Sequence, residues 1–236
     1  MKRLLLLLFI SLITQTKAQD FDGSFSGLYA GAKYSFIQSD LFKSSGGIGY
    51  QIGYSHGFFL HDKGDLVLDI EASKNTIKLS GIYNDYSEYA GQKVEDAFNF
   101  MNFNLNSYYN HYLVVNDEGN GFYVTIFGGI KFLFGNQWEI AEENRDQDYI
   151  YYTSPYINYK TFEDMNIFNM GYELGASVGT YKYRLILSFN HTLTNLFRDQ
   201  KIYKEYDQYN MPVEEAGVIT DVIKLNSINV NFIFKL

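Results

Sequence analysis

The sequence predicts an all-β protein, an eight-stranded antiparallel up-and-down transmembrane β-barrel with short periplasmic turns and long extracellular loops. Three observations predict it. Eight segments alternate large apolar with small or polar residues at period two, the side-chain period of a strand. The connections between them are alternately tight and long. After the N-terminal leader, no apolar run approaches the roughly 20 residues of a spanning helix, whereas each alternating segment reaches the about 9 to 11 residues of a tilted membrane strand.

In chain order, Lys2 and Arg3, an apolar run from Leu4 to Ile13 and then Thr16-Lys17-Ala18 read as an export signal over residues 1–18, cleaved so that residues 19–236 form one outer-membrane barrel domain. The first strand, near Phe25 to Ile37, aligns Leu28, Ala30, Ala32, Tyr34 and Phe36. The second, GIGYQIGYSHGFF at 47–59, sets Ile48, Tyr50, Ile52, Tyr54 and Phe58 against Gly49, Gln51, Gly53, Ser55 and Gly57. The third, Asp65 to about Lys78, opposes Leu66, Leu68, Ile70 and Ala72 to Asp65, Asp69, Glu71 and Ser73. The fourth, about Phe100 to Val115, opposes Phe103, Leu105, Tyr109 and Leu113 to Asn102, Asn104 and Asn106, with the register open after Ser107. The fifth, Gly121 to Phe134, aligns Phe122, Val124, Ile126, Ile130, Phe132 and Phe134. The sixth, Phe168 to Thr180, aligns Met170, Tyr172, Leu174, Ala176 and Val178 against Gly171, Glu173, Gly175, Ser177 and Gly179. The seventh, Tyr183 to Thr194, aligns Leu185, Leu187 and Phe189 against Arg184, Ser188 and Asn190, and the eighth, about Lys224 to Leu236, aligns Ile228, Val230, Phe232 and Phe234 against Asn229 and Asn231.

Tight turns are expected at 61–64, 116–120 and 180–182, and long connections at 80–99, 135–167 and 195–223, with a shorter one at 38–46. Long loops without elements of their own are unusual in soluble domains, and short turns on one side with long loops on the other is the layout of a bacterial outer-membrane barrel. Charge follows the same division. Formal net charge is −8, and −11 without Lys2, Arg3 and Lys17; the three long connections hold 17 acidic and 6 basic residues and 11 of the 22 tyrosines. The strands are a neutral scaffold under an acidic, tyrosine-rich crown.

A closed sheet of eight strands has an interior only wide enough for side chains, so its inward positions should be small or hold cancelling charges. The glycines of the alternating segments fall on that face together with Lys33, Lys131 and Arg184 and with Asp69, Glu71 and Glu173. Buried charge survives when paired, so these six are expected to plug the lumen with salt bridges. The alternative, a soluble exported barrel with the large residues inside, would leave Gly49, Gly53 and Gly57 on a solvated strand face, where glycine weakens a strand without compensation. The chain has no cysteine, which removes a disulfide framework; mean hydropathy is −0.21, as dispersed apolar residues give.

The leader, the strand GIGYQIGYSHGFF followed by a tight turn and GDLVLDIEAS, and the terminal INVNFIFKL together resemble the PorT-type outer membrane β-barrel proteins of Bacteroidetes. The resemblance covers the mature chain and implies the architecture of OmpA and OmpX barrels; some members of the family are implicated in type IX secretion. The end Asn231 to Leu236 is similar to the terminal signal of barrel assembly, with Leu236 where an aromatic residue is usual.

Candidate chemistry is sparse. His56, His61 and His111 fall at the short-turn ends of their strands and read as headgroup-level residues. His191 lies toward the outer rim in a pattern that resembles the His-x-Ser motif of lipid A deacylases, but Leu193 stands at the serine position, and Thr192 and Thr194 point to the opposite face. Glu142, Glu143, Asp146 and Asp148, and Glu163 with Asp164, lack the spacing and glycine of a calcium loop, so no metal or cofactor is expected. Tyr149, Tyr151, Tyr152, Tyr156 and Tyr159, with Tyr203, Tyr206 and Tyr209, are the candidate recognition residues, because tyrosine gives large contact area at low entropic cost. The acidic crown repels nucleic acid. The expected partners are outer-membrane lipid or lipopolysaccharide and an envelope or secretion-complex protein, for a monomeric, non-enzymatic barrel. An acyl hydrolase near His191 and a small-solute channel are the alternatives.

Overall fold

The computed structural model describes residues 24–39, 44–61, 63–83, 88–116, 121–135, 139–140, 150–151, 166–196, 200–206, 212–219 and 223–236; the leader at 1–18 lies outside them. Every regular element among these residues is a strand: β1 (Phe25–Gln38), β2 (Ser44–His61), β3 (Gly64–Tyr83), β4 (Lys93–Asn116), β5 (Phe122–Gly135), β6 (Glu139–Ile140), β7 (Ile150–Tyr151), β8 (Phe168–Gly179), β9 (Tyr183–Thr192), β10 (Gln200–Tyr206), β11 (Pro212–Ile219) and β12 (Lys224–Lys235).

Eight of them close a ring. β1, β2, β3, β4, β5, β8, β9 and β12 each pair antiparallel with their neighbours in that order, and β12 returns to β1 with Leu28 opposite Phe234 and Tyr34 opposite Ile228. Closure removes the free edges of an open sheet. The predicted outward faces of Leu28 to Phe36, Ile126 to Phe134 and Ile228 to Phe234 are on one face in the observed register, since Leu28, Ala30 and Ala32 are paired with Tyr54, Ile52 and Tyr50. Tyr54 departs from its neighbours: it shares their register but is 5% exposed.

The tight turns are at one end. β2 passes to β3 within His61 to Gly64, and between β8 and β9 the Thr180 amide donates to the Tyr183 carbonyl at 2.7 Å while the Lys182 and Tyr183 amides donate to Thr180 Oγ1. Gly121 opens β5 at φ +63°, a conformation that favours glycine, and the Tyr181 ring occupies the place of a side chain there. A register shift between Tyr112 and Val114 resolves the open register of the fourth strand: the extra residue leaves Leu113, Val114 and Val115 all exposed.

The long-loop end corrects the expected connections. The interval 80–99 is mostly sheet, because β3 and β4 continue to pair as far as Ile82 opposite Lys93, and just beyond that pair the Tyr83 amide donates to Gln92 O and the Gly91 amide to Tyr83 O. Alternation persists through Ile77, Leu79, Phe98 and Phe100, all of which point inward and are buried. The interval 135–167 contains β6, which pairs with β4, and β7, which pairs with β3; the interval 195–223 contains the separate hairpin β10–β11.

Candidate functional site: lumen, outer belt and long-loop end

The lumen is built in three layers. At the short-turn end, Phe25, Tyr29, Val67, Tyr108, Phe127, Ile186 and Ile233 form an apolar and aromatic cluster. Register explains how rings of this size fit. Phe25 is directly opposite Gly57, Tyr29 opposite Gly53, Tyr123 opposite Gly179 and Phe127 opposite Gly175, and in each case the ring lies where a Cβ on that glycine would stand. The glycines therefore seat inward aromatics. Lys235 places its ammonium 4.5 Å from the Tyr123 ring centroid and 5.0 Å from that of Phe25, adding a cation–π contact at this end.

The middle layer is charged, and Glu71 is its hub. Lys131 Nζ lies 3.3 Å from Glu71 Oε2 and Lys33 Nζ 3.6 Å from Glu71 Oε1. Asn104 Nδ2 donates to Glu71 Oε1 at 2.5 Å and Tyr29 OH to Oε2 at 3.1 Å. Two cations and two neutral donors thus surround one carboxylate, the arrangement that makes a buried charge tolerable. Asp69 accepts from Ser55 at 2.6 Å. Arg184 stands apart from this layer, at the short-turn end opposite Gly179 and Ile233 and 5.6 Å from the Phe25 ring centroid; it donates to Asn110 at 2.6 Å and to Ser177 at 2.8 Å, and among the described residues it makes no ion pair. Glu173 is buried in this layer with its Oε2 free of hydrogen bonds.

All six residues expected in the lumen, Lys33, Asp69, Glu71, Lys131, Glu173 and Arg184, are therefore buried inside the ring. Their pairing is narrower than one anion per cation, since Glu71 takes both lysines. Asp65 and Asp96 are buried too, so the described interior holds more anions than the sequence balance counted. Of Tyr29, Asn104 and Asn110, which hold Glu71 and Arg184, the sequence placed Asn104 on the polar face without a role and did not single out the other two. Their signal was strand parity, because each has the inward phase of the charge that it contacts.

The third layer, at the long-loop end, is apolar again: Ile37, Ile77, Leu79, Phe98, Phe100 and Leu225 are all buried there. Between it and the charged layer lies a cavity of ≈ 10 Å³, bordered by Lys33, Lys131, Asn190, Thr192 and Ser227, with room for about one water molecule.

The outside of the ring is the inverse of the inside. Ile48 is 77% exposed, Tyr50 and Ile52 are 57% exposed, and Leu187, Leu174, Phe232 and Ile130 are each about half exposed. A continuous apolar wall around a cylinder far exceeds the patches that soluble monomers show to water. Lipid is its natural solvent, and the chain is a transmembrane barrel.

Near the outer end of that wall, His191 Nδ1 shares a hydrogen bond of 2.6 Å with Asn226 Oδ1, and its ring lies 5.3 Å from that of Tyr172. Thr192 is on the opposite face, where its hydroxyl accepts from the Leu225 amide, and Thr194 donates to Asn169 Oδ1 at 3.0 Å. Among the described residues the His191 ring is hydrogen-bonded to Asn226 and to no hydroxyl. Of the candidate recognition tyrosines, Tyr151 falls in β7 opposite Ile82, and Tyr203 and Tyr206 fall in β10 opposite Glu215 and Pro212; Tyr149, Tyr152, Tyr156, Tyr159 and Tyr209 lie outside the described residues, as do Glu142, Glu143, Asp146, Asp148, Glu163 and Asp164.

No protein-family model matches the chain. No curated protein matches it in sequence. Among solved structures it is similar to Neisserial surface protein A, at 13% identity and a TM-score of 0.44 over 89% of this chain and 97% of that one. It is similar to the outer membrane protein OprG of Pseudomonas aeruginosa at 12% identity and a TM-score of 0.45, over 92% and 99% of the two chains. For Ail, the attachment invasion locus protein of Yersinia pestis, the values are 9% identity and a TM-score of 0.35 over 91% and 99%.

Proposed function

We propose that this chain is a non-enzymatic integral protein of the outer membrane whose acidic, tyrosine-rich loops engage a protein partner at the cell surface, as an accessory of an envelope or secretion complex. The observation that carries this reading is the inside-out distribution of side chains together with a lumen filled at three levels. A filled barrel leaves its ends, and above all the loop-bearing end, as the surface available for function. Supporting it, the connections at 135–167 and 195–223 hold 13 acidic residues and 8 of the 22 tyrosines, and backbone pairing through β6 and β7 ties the 135–167 connection to the β3–β4 extension. The PorT-type resemblance favours a secretion complex as the assembly.

Two other readings are weaker. An acyl hydrolase at His191 lacks a hydroxyl hydrogen-bonded to that ring among the described residues, and a solute channel has to pass the Glu71 hub and an apolar layer on either side of it. The test is crosslinking of the intact protein in its own membrane, followed by identification of the attached partner. Replacing Tyr151, Tyr156 and Tyr206 together by alanine is expected to abolish that crosslink with barrel assembly unchanged. A crosslink of undiminished yield would overturn the proposal.

A further inference from the structure

On the outward face of β3 the apolar sequence Leu66, Leu68, Ile70, Ala72 gives way at Lys74 to Thr76, Lys78 and Ser80. The outward run of β4 changes at the same level, from Met101 to Asn99, Ala97, Glu95 and Lys93, while Ile48 on β2 and Ile82 on β3 are exposed apolar residues beyond it. Lys74 stands between its cross-strand partners Tyr50 and Met101, both more than half exposed. Its methylenes can lie along that apolar surface while the ammonium reaches up out of it. Among the described residues no carboxylate is within ion-pair distance of Lys74. Lys78 is on the same face roughly 13 Å further along the strand at ~3.3 Å per residue. Its Nζ pairs with Glu95 at 3.0 Å, but both side chains are nearly half exposed, and a pair so exposed exchanges readily for another anion. Lys93, opposite Ile82, continues the basic face on β4.

We propose that this outer wall of β3 and β4, immediately above the belt, seats the phosphate-bearing headgroup of an anionic membrane lipid, with Lys74 and Lys78 supplying the charge. The occupant follows from position. These lysines face sideways from the cylinder at the height where the outward apolar runs of β3 and β4 give way to polar residues, and in a bilayer the matter beside that height is headgroup. A protein descending on the loops would meet the connections at 135–167 and 195–223, which hold 13 acidic and 5 basic residues, a balance of −8, rather than this wall. Ammonium groups are compact cations suited to phosphate oxygens, and a tyrosine with an apolar body and a polar tip, such as Tyr50, belongs at the same interface.

The proposal rests on the membrane-spanning reading, and its test separates the two. The full chain is folded into phosphatidylcholine bilayers containing a minority of phosphatidylglycerol, and the lipid retained on the protein after extraction is quantified by native mass spectrometry. Wild type is expected to retain phosphatidylglycerol over phosphatidylcholine, and the double variant Lys74→Gln/Lys78→Gln to bind it about thirtyfold more weakly, since each lysine near the membrane surface contributes attraction worth roughly fivefold. Lys63→Gln, at the short-turn end, should behave as wild type, and inorganic phosphate should fail to displace the lipid. Retention unchanged in an inserted double variant, or displacement by phosphate alone, overturns the headgroup seat. A chain that does not enter bilayers at all overturns the membrane reading beneath it.

Discussion

Glu71 is the residue on which the interior depends most. It is the common partner of Lys33 and Lys131, so Glu71→Ala leaves two buried ammoniums without their ion-pair partner; removing one partner of a buried pair costs about 3–5 kcal/mol. Urea unfolding of the refolded barrel measures it, and a loss below about 1 kcal/mol would mean that the lysines find another partner. Glycines supply the second test at this scale. The ring of Tyr29 occupies the side-chain position of Gly53 and that of Phe127 the position of Gly175, so Gly53→Val or Gly175→Val forces an inward aromatic out of place, at a cost of about 1–3 kcal/mol. By contrast, Ala32→Val on the outer wall should be tolerated. The same residues mark where sequence reading stopped. Inward charge on β1, β3, β5, β8 and β9 was legible from parity. That Phe25, Tyr29, Tyr108, Tyr123 and Phe127 share that face was not, because period two cannot say which of two aromatic-bearing faces is outside until cross-strand glycines are registered against them.

Among the elements, β3 and β4 differ from the rest by outgrowing their neighbours. β4 pairs with β5 only from Asn102, and with β3 from Lys93. The sequence 80–99 concealed this, since its charged and small residues read as loop while the inward phase of Ile77, Leu79, Phe98 and Phe100 continued beneath them. The bulge between Tyr112 and Val114 showed only as a register left open after Ser107, because an inserted residue changes parity without changing composition. On the extension, the hydrogen bond and charge of Lys78 hold the Glu95 carboxyl below the ordinary carboxylate range. A carboxyl depressed in the folded state supports the hairpin above its unfolded value and stops doing so as pH falls through the folded one. An NMR titration of the Glu95 side chain should therefore find its midpoint below that of an unstructured glutamate, and Lys78→Ala should return it to the ordinary value. A midpoint that ignores Lys78 would contradict the pairing.

The whole molecule is a cylinder with its charged centre enclosed between apolar layers and its apolar surface on the outside. That inversion was the most legible feature of the sequence, because eight strands repeat one alternation; the arrangement of the crown was the least, because recognition by loops obeys no spacing. A lumen filled in this way predicts no stepwise conductance across a planar bilayer, for wild type or for the Glu173→Gln variant. Steady openings in either would identify a channel. The most direct test of the inversion uses the absence of cysteine from the chain, so that each single introduced thiol is the only site of a spin label. Labels at Ile52→Cys and Phe58→Cys on β2, below the level of Lys74, should be accessible to oxygen dissolved in the acyl chains and shielded from a water-soluble nickel chelate, while labels at the alternate positions Gly49→Cys, Gln51→Cys and Ser55→Cys should be shielded from both. A reversed alternation, or a mature chain that stays monodisperse in detergent-free buffer with the first set protected, would contradict the account.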